Sequence, residues 1–221
     1  MQSRSLLTER IQLVVRSSGL AKSVVADSWP DGSLRGILDI NPECNTGNWI
    51  ESPGNFQVMR SNPTGQPYIG NLELVEGSIS TQIEHYLQQS EQIQACVVLW
   101  CDCQSGEAGG LVVEPLPDCP PERIKLMLNA LDGLEITQPF ERTPDFLVNW
   151  INQGNGAELL SSLQLEYRCR CSKQSLVNTL SAMPVSEQED IFSEGGSVEV
   201  RCEYCGISYL IAREELGNIN L

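Results

Sequence analysis

Residues 9 to 40 carry the apolar and polar alternation of strands: Ile11, Leu13 and Val14, then Ser17-Ser18-Gly19, then Val24-Val25, then Leu34, Ile37 and Ile40. Between the last two groups stands Trp29-Pro30-Asp31-Gly32-Ser33, where proline presets φ and glycine takes the awkward position, so a hairpin is predicted. Residues 41 to 56, rich in Asn, Gly and Pro, read as a long loop. Further strands follow at Phe56 to Arg60 and Tyr68 to Leu74, with Asn62-Pro63-Thr64-Gly65 turning between them. The period then changes. Ile79, Ile83, Tyr86 and Leu87 recur at helical spacing, and Ser78 is placed to cap a helix running to Gln89. The apolar run Ile93 to Trp100, a Gly109-Gly110 turn and Leu111-Val112-Val113 predict a buried hairpin near the centre of a sheet.

Pro115-Leu116-Pro117-Asp118-Cys119-Pro120-Pro121 breaks regular structure and marks a boundary. Beyond it, Pro121 opens a helix with the stripe Ile124, Met127, Leu128 and Leu131, ended by Gly133. A second helix starts at Thr143-Pro144, carries Phe146, Leu147, Trp150 and Ile151, and stops at Gly154-Asn155-Gly156. A short third is predicted from Ala157 to Leu163. Helices this short are marginal in water and must bury their stripes against something else. Toward the end, Ser172 caps a helix bearing Leu176, Val177, Leu180 and Met183, closed by Pro184, and residues 186 to 194 form another that Gly195-Gly196 stops. Val198 and Val200, then Ile207, Tyr209 and Ile211, alternate with polar residues on either side of Cys202-x-x-Cys205, which therefore sits in the turn of a β-hairpin. The fold class read from these patterns is α+β: a β-rich core with packed helices over residues 1–115, a short helical linker over 116–166, and a small C-terminal α+β domain over 167–221 that carries four cysteines.

Cysteine spacing adds the chemistry. Of nine cysteines, four form one Cys-x-Cys pair, Cys169 and Cys171, and one Cys-x-x-Cys pair, Cys202 and Cys205, with thirty residues between the pairs. That spacer lets them fold to a common point, and four thiolates at one point suit one tetrahedral Zn²⁺ per chain. Such a site supplies about 10–16 kcal/mol of folding free energy, ample for a module too small for a core of its own. The same sulfurs suit a redox pair. An extended chain puts the Cys169 and Cys171 α-carbons about 6.6–7.2 Å apart, at the disulfide limit of about 6.8 Å, so a modest bend lets them bridge. Strained short-loop disulfides have the oxidising potentials of regulatory ones. Spacing alone leaves the structural and the switching readings open. A thioredoxin-like oxidoreductase is disfavoured, since it needs Cys-x-x-Cys at a helix N-terminus and here an alternating strand follows. Cys101-Asp102-Cys103 is a second Cys-x-Cys without a matching pair, and with Cys44, Cys96 and Cys119 it reads as a set of buried or incidental thiols. His85, the single histidine, has no nucleophile motif beside it and reads as an ordinary helix residue.

Charge narrows the partners. Twenty-nine acidic against fourteen basic residues give a formal net charge of −15, and from Glu166 to Glu215 five Lys or Arg face nine Asp or Glu. Nucleic acid and anionic membranes are repelled by such a chain. No run reaches the about 18 apolar residues of a membrane span, so a cytoplasmic protein is expected. An organelle transit peptide is the lesser alternative, with Arg4 and Arg10 in its favour and Glu9 against it.

The wording around the cysteines resembles the heat shock protein 33 family of redox-regulated holdase chaperones: Tyr167-Arg168-Cys169-Arg170-Cys171-Ser172, then Gly195-Gly196-Ser197-Val198-Glu199-Val200-Arg201-Cys202-Glu203-Tyr204-Cys205-Gly206, then Tyr209 and Arg213-Glu214-Glu215-Leu216. A second stretch, Pro67-Tyr68-Ile69-Gly70-Asn71-Leu72-Glu73-Leu74-Val75-Glu76-Gly77-Ser78-Ile79 and on through Tyr86 to Ser90-Glu91-Gln92, resembles the same family in the same order. The resemblance implies zinc held by Cys169, Cys171, Cys202 and Cys205 in the reduced state. It implies Cys169–Cys171 and Cys202–Cys205 disulfides after oxidation by peroxide or hypochlorous acid, and a linker that then unfolds. The exposed surface would hold unfolding client proteins without ATP, protecting against oxidative and heat stress. No G-x-x-x-x-G-K phosphate loop is present, in agreement with that. Relatives carry a further N-terminal segment before the region matching Leu7 to Ile40; this chain is expected to lack it, which leaves open whether a homodimer forms on oxidation. The alternative is a constitutive zinc-stabilised binding module, and neither reading makes the chain an enzyme.

Overall fold

The alternation between residues 9 and 40 becomes three antiparallel strands, β1 (Arg10–Arg16), β2 (Ala21–Ser28) and β3 (Ser33–Ile40). These come from a computed structural model of the chain, which describes residues 9–44, 47–61, 65–134, 143–152, 157–193 and 195–217. The Pro-Asp-Gly turn is closed by Trp29 N–H donating to Ser33 O at 2.9 Å, with Gly32 at φ +81°. β4 (Asn55–Ser61) and β5 (Tyr68–Glu73) extend the sheet on the far side of β1, as their apolar runs predict. The turn expected at Asn62 to Gly65 falls largely outside the described residues.

Successive strand residues point to opposite faces, and here the faces have opposite character. On one, Ile11, Leu13 and Val15 of β1 meet Phe56 and Val58 of β4. Helix α1 (Ile79–Ser90) closes over them with Tyr86, Ile83 and Leu87. Ser78 caps α1, its hydroxyl accepting from Thr81 N–H, as expected from the serine ahead of the apolar stripe. On the other face the register sets Asp27 directly opposite Gln12 on one side and Arg35 on the other, a polar row across three strands.

β6 (Cys96–Asp102) and β7 (Glu107–Val113) form the expected hairpin, but as a two-stranded sheet of their own rather than at the centre of a larger one. The turn lies at residues 103–106, and Gly109 and Gly110 lie within β7. They are glycines for packing: a β-carbon on Gly109 would stand 2.3 Å from the Trp100 ring, and one on Gly110 2.6 Å from a Leu99 methyl. Helices α2 (Pro121–Leu134) and α3 (Pro144–Asn152) close on this hairpin, with Leu131 and Leu147 against Val98. The Trp150 indole N–H donates to Ala130 O at 2.7 Å, tying the two helices together.

The helix expected from Ala157 to Leu163 does not form. Residues 157–165 run irregularly to a two-residue strand β8 (Glu166–Tyr167), which pairs parallel with β3 at Ser33 and Leu34 and becomes the sixth strand of the main sheet. Leu159 and Leu160 stay 83% exposed, because this path leaves their side chains nothing to pack on. The remainder follows the sequence closely: α4 (Lys173–Ser181) capped by Ser172, α5 (Val185–Ile191), the hairpin β9 (Ser197–Arg201) and β10 (Ser208–Ala212), and a 3-10 turn over Arg213–Leu216. Val177, Phe192, Ile211 and Leu216 make its small core. Among the described residues no helix is long and apolar enough to cross a membrane.

Candidate metal centre

The centre is assembled from two arms. The first is delivered by β8: Arg168 N–H donates to Leu34 O at 2.9 Å, so the chain is still bound to β3 when it reaches Cys169, and Ser172 starts α4 right after Cys171. The second is the β9–β10 turn, closed by Cys202 N–H to Ile207 O at 2.9 Å and Gly206 N–H to Cys202 O at 2.8 Å.

All four sulfurs, from Cys169, Cys171, Cys202 and Cys205, lie within 4.8 Å of one another and are half-buried. Across the two arms, Cys169 Sγ is 3.6 Å from Cys202 Sγ, and Cys171 Sγ is 3.4 Å from Cys205 Sγ. Four sulfurs at about 2.3 Å from a zinc ion stand about 3.8 Å apart along the edges of their tetrahedron, so the donor set and its spacing fit such an ion. Among the described residues this is the one cluster of its kind.

Crowded sulfurs cannot all ionise equally. At Cys169 burial opposes the thiolate, but the backbone N–H of Cys171 and hydrogen bonds from the sulfurs of Cys171, Cys202 and Cys205 outweigh it, and the pKa falls to about 6. At Cys171 the Tyr209 hydroxyl, 3.2 Å away, favours the thiolate. Burial and the neighbouring sulfurs prevail there, and the pKa rises to about 12. A bound cation removes this mutual repulsion, which is why such a cluster and a metal ion stabilise each other.

Behind the sulfurs stands the polar face of the sheet. Asp27 has a fully buried side chain and accepts from Arg10 Nη2 at 2.7 Å, Arg10 Nε at 3.1 Å, Gln12 Nε2 at 3.2 Å and Arg35 Nε at 2.9 Å. Arg35 so held lies 3.7 Å above the Tyr204 ring, inside the Cys202–Cys205 turn. Burial works against the Arg35 charge, and Asp27 more than restores it. The Trp29 ring receives Arg10, Arg35 and Arg170 at 5.3, 5.1 and 4.6 Å. Arg170, between the two ligand candidates of the first arm, donates to Asp31 at 2.5 Å and to the Ser33 hydroxyl at 2.8 Å. Tyr167 Oη donates to Tyr204 O at 2.7 Å and joins the two arms directly.

The structure thus brings together the four cysteines that spacing singled out. The supporting set, Asp27, Arg35, Gln12, Arg10, Trp29 and Tyr204, is not apparent from motif reading. Its one signal is inverted polarity: Arg10, Gln12, Asp27 and Arg35 occupy strand positions where an interior face would carry aliphatic residues. Of the five cysteines expected to be buried or incidental, Cys101 and Cys103 are exposed, while Cys44, Cys96 and Cys119 are partly buried. His85 is a half-buried residue of α1.

Fold and centre together define an α+β protein that carries a four-cysteine, metal-type cluster docked on the edge and polar face of its main sheet. A family model described as Hsp33 protein matches residues 1–212. The chain belongs to the Hsp33 family. It is 26% identical to the 33 kDa chaperonin of Clostridium botulinum over 227 residues, covering 96% of this chain and 77% of that one. It is 29% identical to the 33 kDa chaperonin of Synechococcus elongatus over 224 residues, covering 94% and 75%. The fold is also that of the 33 kDa chaperonin (heat shock protein 33 homolog) of Thermotoga maritima. That match has a TM-score of 0.75 and 22% identity, and it covers 95% of this chain and 76% of that structure. Family membership supports a chaperone function and a role in binding other proteins rather than in catalysis.

Proposed function

We propose that the chain is a redox-regulated, ATP-independent holdase whose switch is the centre formed by Cys169, Cys171, Cys202 and Cys205. The observation that carries this is the convergence of four sulfurs within 4.8 Å on a platform made by the core sheet. Zinc, when bound, holds all four as thiolates and supplies the folding free energy of the small C-terminal module.

In that reduced state Arg35 and Asp27 tie the Cys202–Cys205 turn to the sheet, while β8 and Arg170 tie the Cys169–Cys171 arm to β3 and to Asp31. A peroxide oxidises one thiolate to sulfenic acid, releasing hydroxide, and a neighbouring thiol displaces water to form the disulfide. Each bond thus consumes two thiols and one peroxide and yields two waters. On this reading, by resemblance to the family, the pairs are Cys169 with Cys171 and Cys202 with Cys205. With their sulfurs bound to each other, the two arms no longer share a common point.

The segment between core and module is built to let go. α2 and α3 are short and rest on a two-stranded hairpin through one small cluster, Leu131 and Leu147 with Met127, Phe146 and Ile151, and the Trp150–Ala130 hydrogen bond joins them. Leu159, Leu160, Leu163 and Leu165 are already exposed, and release of residues 116–166 adds the α2 and α3 stripes to that surface. A broad apolar surface of this kind suits unfolding client proteins. The reduced resting state suits the cytoplasm, where thiols are kept reduced.

The test is light scattering from a chemically unfolded client diluted into buffer with zinc-loaded reduced protein or with protein treated with peroxide at raised temperature. Suppression of aggregation after oxidation alone, reversed by a thiol reductant, is expected. Equal behaviour of the two forms would contradict the switch and leave a zinc-folded binding module.

A further inference from the structure

Tyr209, the second residue of β10, stands opposite Val200 of β9 and two positions before Ile211. Residues two apart on a strand share a face, so the fully buried Ile211 fixes the direction in which the Tyr209 ring leaves the hairpin. Its hydroxyl reaches across to the other arm of the centre, 3.2 Å from Cys171 Sγ. Cys171 stands directly before Ser172, the cap of α4, so secondary structure holds both partners of this contact.

The direction of the hydrogen bond follows from chemistry. A thiolate has lone pairs and no proton, so when Cys171 is a ligand the phenol donates and the sulfur accepts. Four thiolates around a divalent ion leave a net charge of about −2. They do so in a stretch where, from Glu166 to Glu215, nine acidic residues already outnumber five basic ones. A hydroxyl aimed at one sulfur draws charge off it, and groups that stand so beside a metal site orient the ligand and tune its electron density. The other hydroxyl that spans the two arms has a different target. Tyr167 Oη donates to a backbone oxygen, Tyr204 O at 2.7 Å, and so bears on the path of the chain rather than on a sulfur.

We propose that Tyr209 is a positioning residue of the centre that acts through Cys171: its hydroxyl donates to that sulfur in the metal-loaded state and slows its attack on peroxide. The inference rests on the four-sulfur metal centre of the reading above, and not on holdase activity. In the step it slows, a lone pair of the Cys171 sulfur takes one oxygen from peroxide and hydroxide leaves, giving the sulfenic acid. A sulfur whose lone pair is shared with a hydroxyl proton is the weaker nucleophile. Tyr209 thereby sets how much oxidant this ligand withstands.

The test compares the full-length reduced chain as wild type, Tyr209→Phe and Tyr167→Phe. Each is loaded with cobalt for the sulfur-to-metal charge-transfer band and with zinc for oxidation. Losing the hydroxyl raises the energy of the sulfur lone pairs, so the band of Tyr209→Phe should move to longer wavelength while that of Tyr167→Phe stays in place. In the zinc form, dimedone labelling during peroxide treatment reads sulfenic acid at Cys171, which trypsin isolates by cutting after Arg170 and Lys173. Its initial rate in Tyr209→Phe should rise about 3- to 10-fold, as the net strength of an ordinary hydrogen bond implies. Tyr209 replaced by 3-fluorotyrosine, a stronger donor of nearly the same shape, keeps the test should the phenylalanine variant not fold; its band should move to shorter wavelength. A band that stays in place when Tyr209 is changed, or moves no more than in Tyr167→Phe, would overturn the proposal, as would an unchanged oxidation rate at Cys171. Wild-type protein without any sulfur-to-cobalt band would instead contradict the four-sulfur centre itself, and the proposal with it.

Discussion

Replacing Asp27 by alanine tests the platform beneath the centre. Its carboxylate is fully buried and is the shared acceptor for Arg10, Gln12 and Arg35. Removing one partner of a buried ion pair costs about 3–5 kcal/mol, because the remaining charge is left without compensation. Here the stranded guanidinium groups keep 29% and 16% of their side-chain exposure, so water recovers part of the loss and the lower end, about 3 kcal/mol, is expected. With a urea dependence of about 2–3 kcal/mol per molar, the midpoint should fall by about 1–1.5 M. Urea unfolding followed by far-ultraviolet circular dichroism measures this. Asp39→Ala is the control, since its partner Lys22 is 67% exposed and the pair contributes about 0.5 kcal/mol or less. Arg35 is also the residue stacked on Tyr204, so Asp27→Ala should in addition speed metal transfer from the reduced protein to a chelator. A midpoint for Asp27→Ala no lower than that of Asp39→Ala would refute the account of the platform.

Other expectations follow from single contacts. Gly32→Ala places a β-carbon 2.2 Å from Gln164 O at a residue with φ +81°. The left-handed conformation alone costs about 1–2 kcal/mol; the clash should lift β8 off β3 and make Leu159, Leu160 and Leu163 faster sites for limited chymotrypsin digestion of the reduced protein. Cys202→Ser removes one of four sulfurs and should lower zinc content, read by atomic emission, from about one per chain to a small fraction, with loss of the α4–α5 and hairpin signals in the circular dichroism spectrum. Retention of a full equivalent of zinc in that variant would remove Cys202 from the ligand set.

What could be read from the residues was local. Ser78 stands one residue ahead of an apolar stripe and Ser172 four residues ahead of one, and both cap helices. Trp29-Pro30-Asp31-Gly32 makes the turn its composition prescribes, and the alternation around Cys202 and Cys205 makes the hairpin that presents them. What escaped was set by tertiary context. Leu159, Leu160 and Leu163 have helical spacing, yet the pairing of Glu166 and Tyr167 with Ser33 and Leu34 draws the chain out, and nothing in a two-residue strand announces a partner over 130 positions away. Gly109-Gly110 has turn composition but serves to admit Trp100 and Leu99. The real turn is the one that Asp102 organises through its carboxylate. The Asp27 row was invisible because its meaning depends on register: Gln12, Asp27 and Arg35 are unremarkable singly and form a platform only when three strands align them.

The central claim is that oxidation of the four-cysteine centre is the event that turns client holding on. It is tested most directly by following three quantities in one sample of reduced, zinc-loaded protein exposed to peroxide: zinc released to a colorimetric chelator, maleimide-reactive Cys169, Cys171, Cys202 and Cys205, and suppression of client aggregation. The account predicts that about one zinc per chain appears as the four thiols vanish, that holding activity rises on the same time course, and that reductant with added zinc reverses all three. Holding activity that is full while the four thiols remain intact would contradict it.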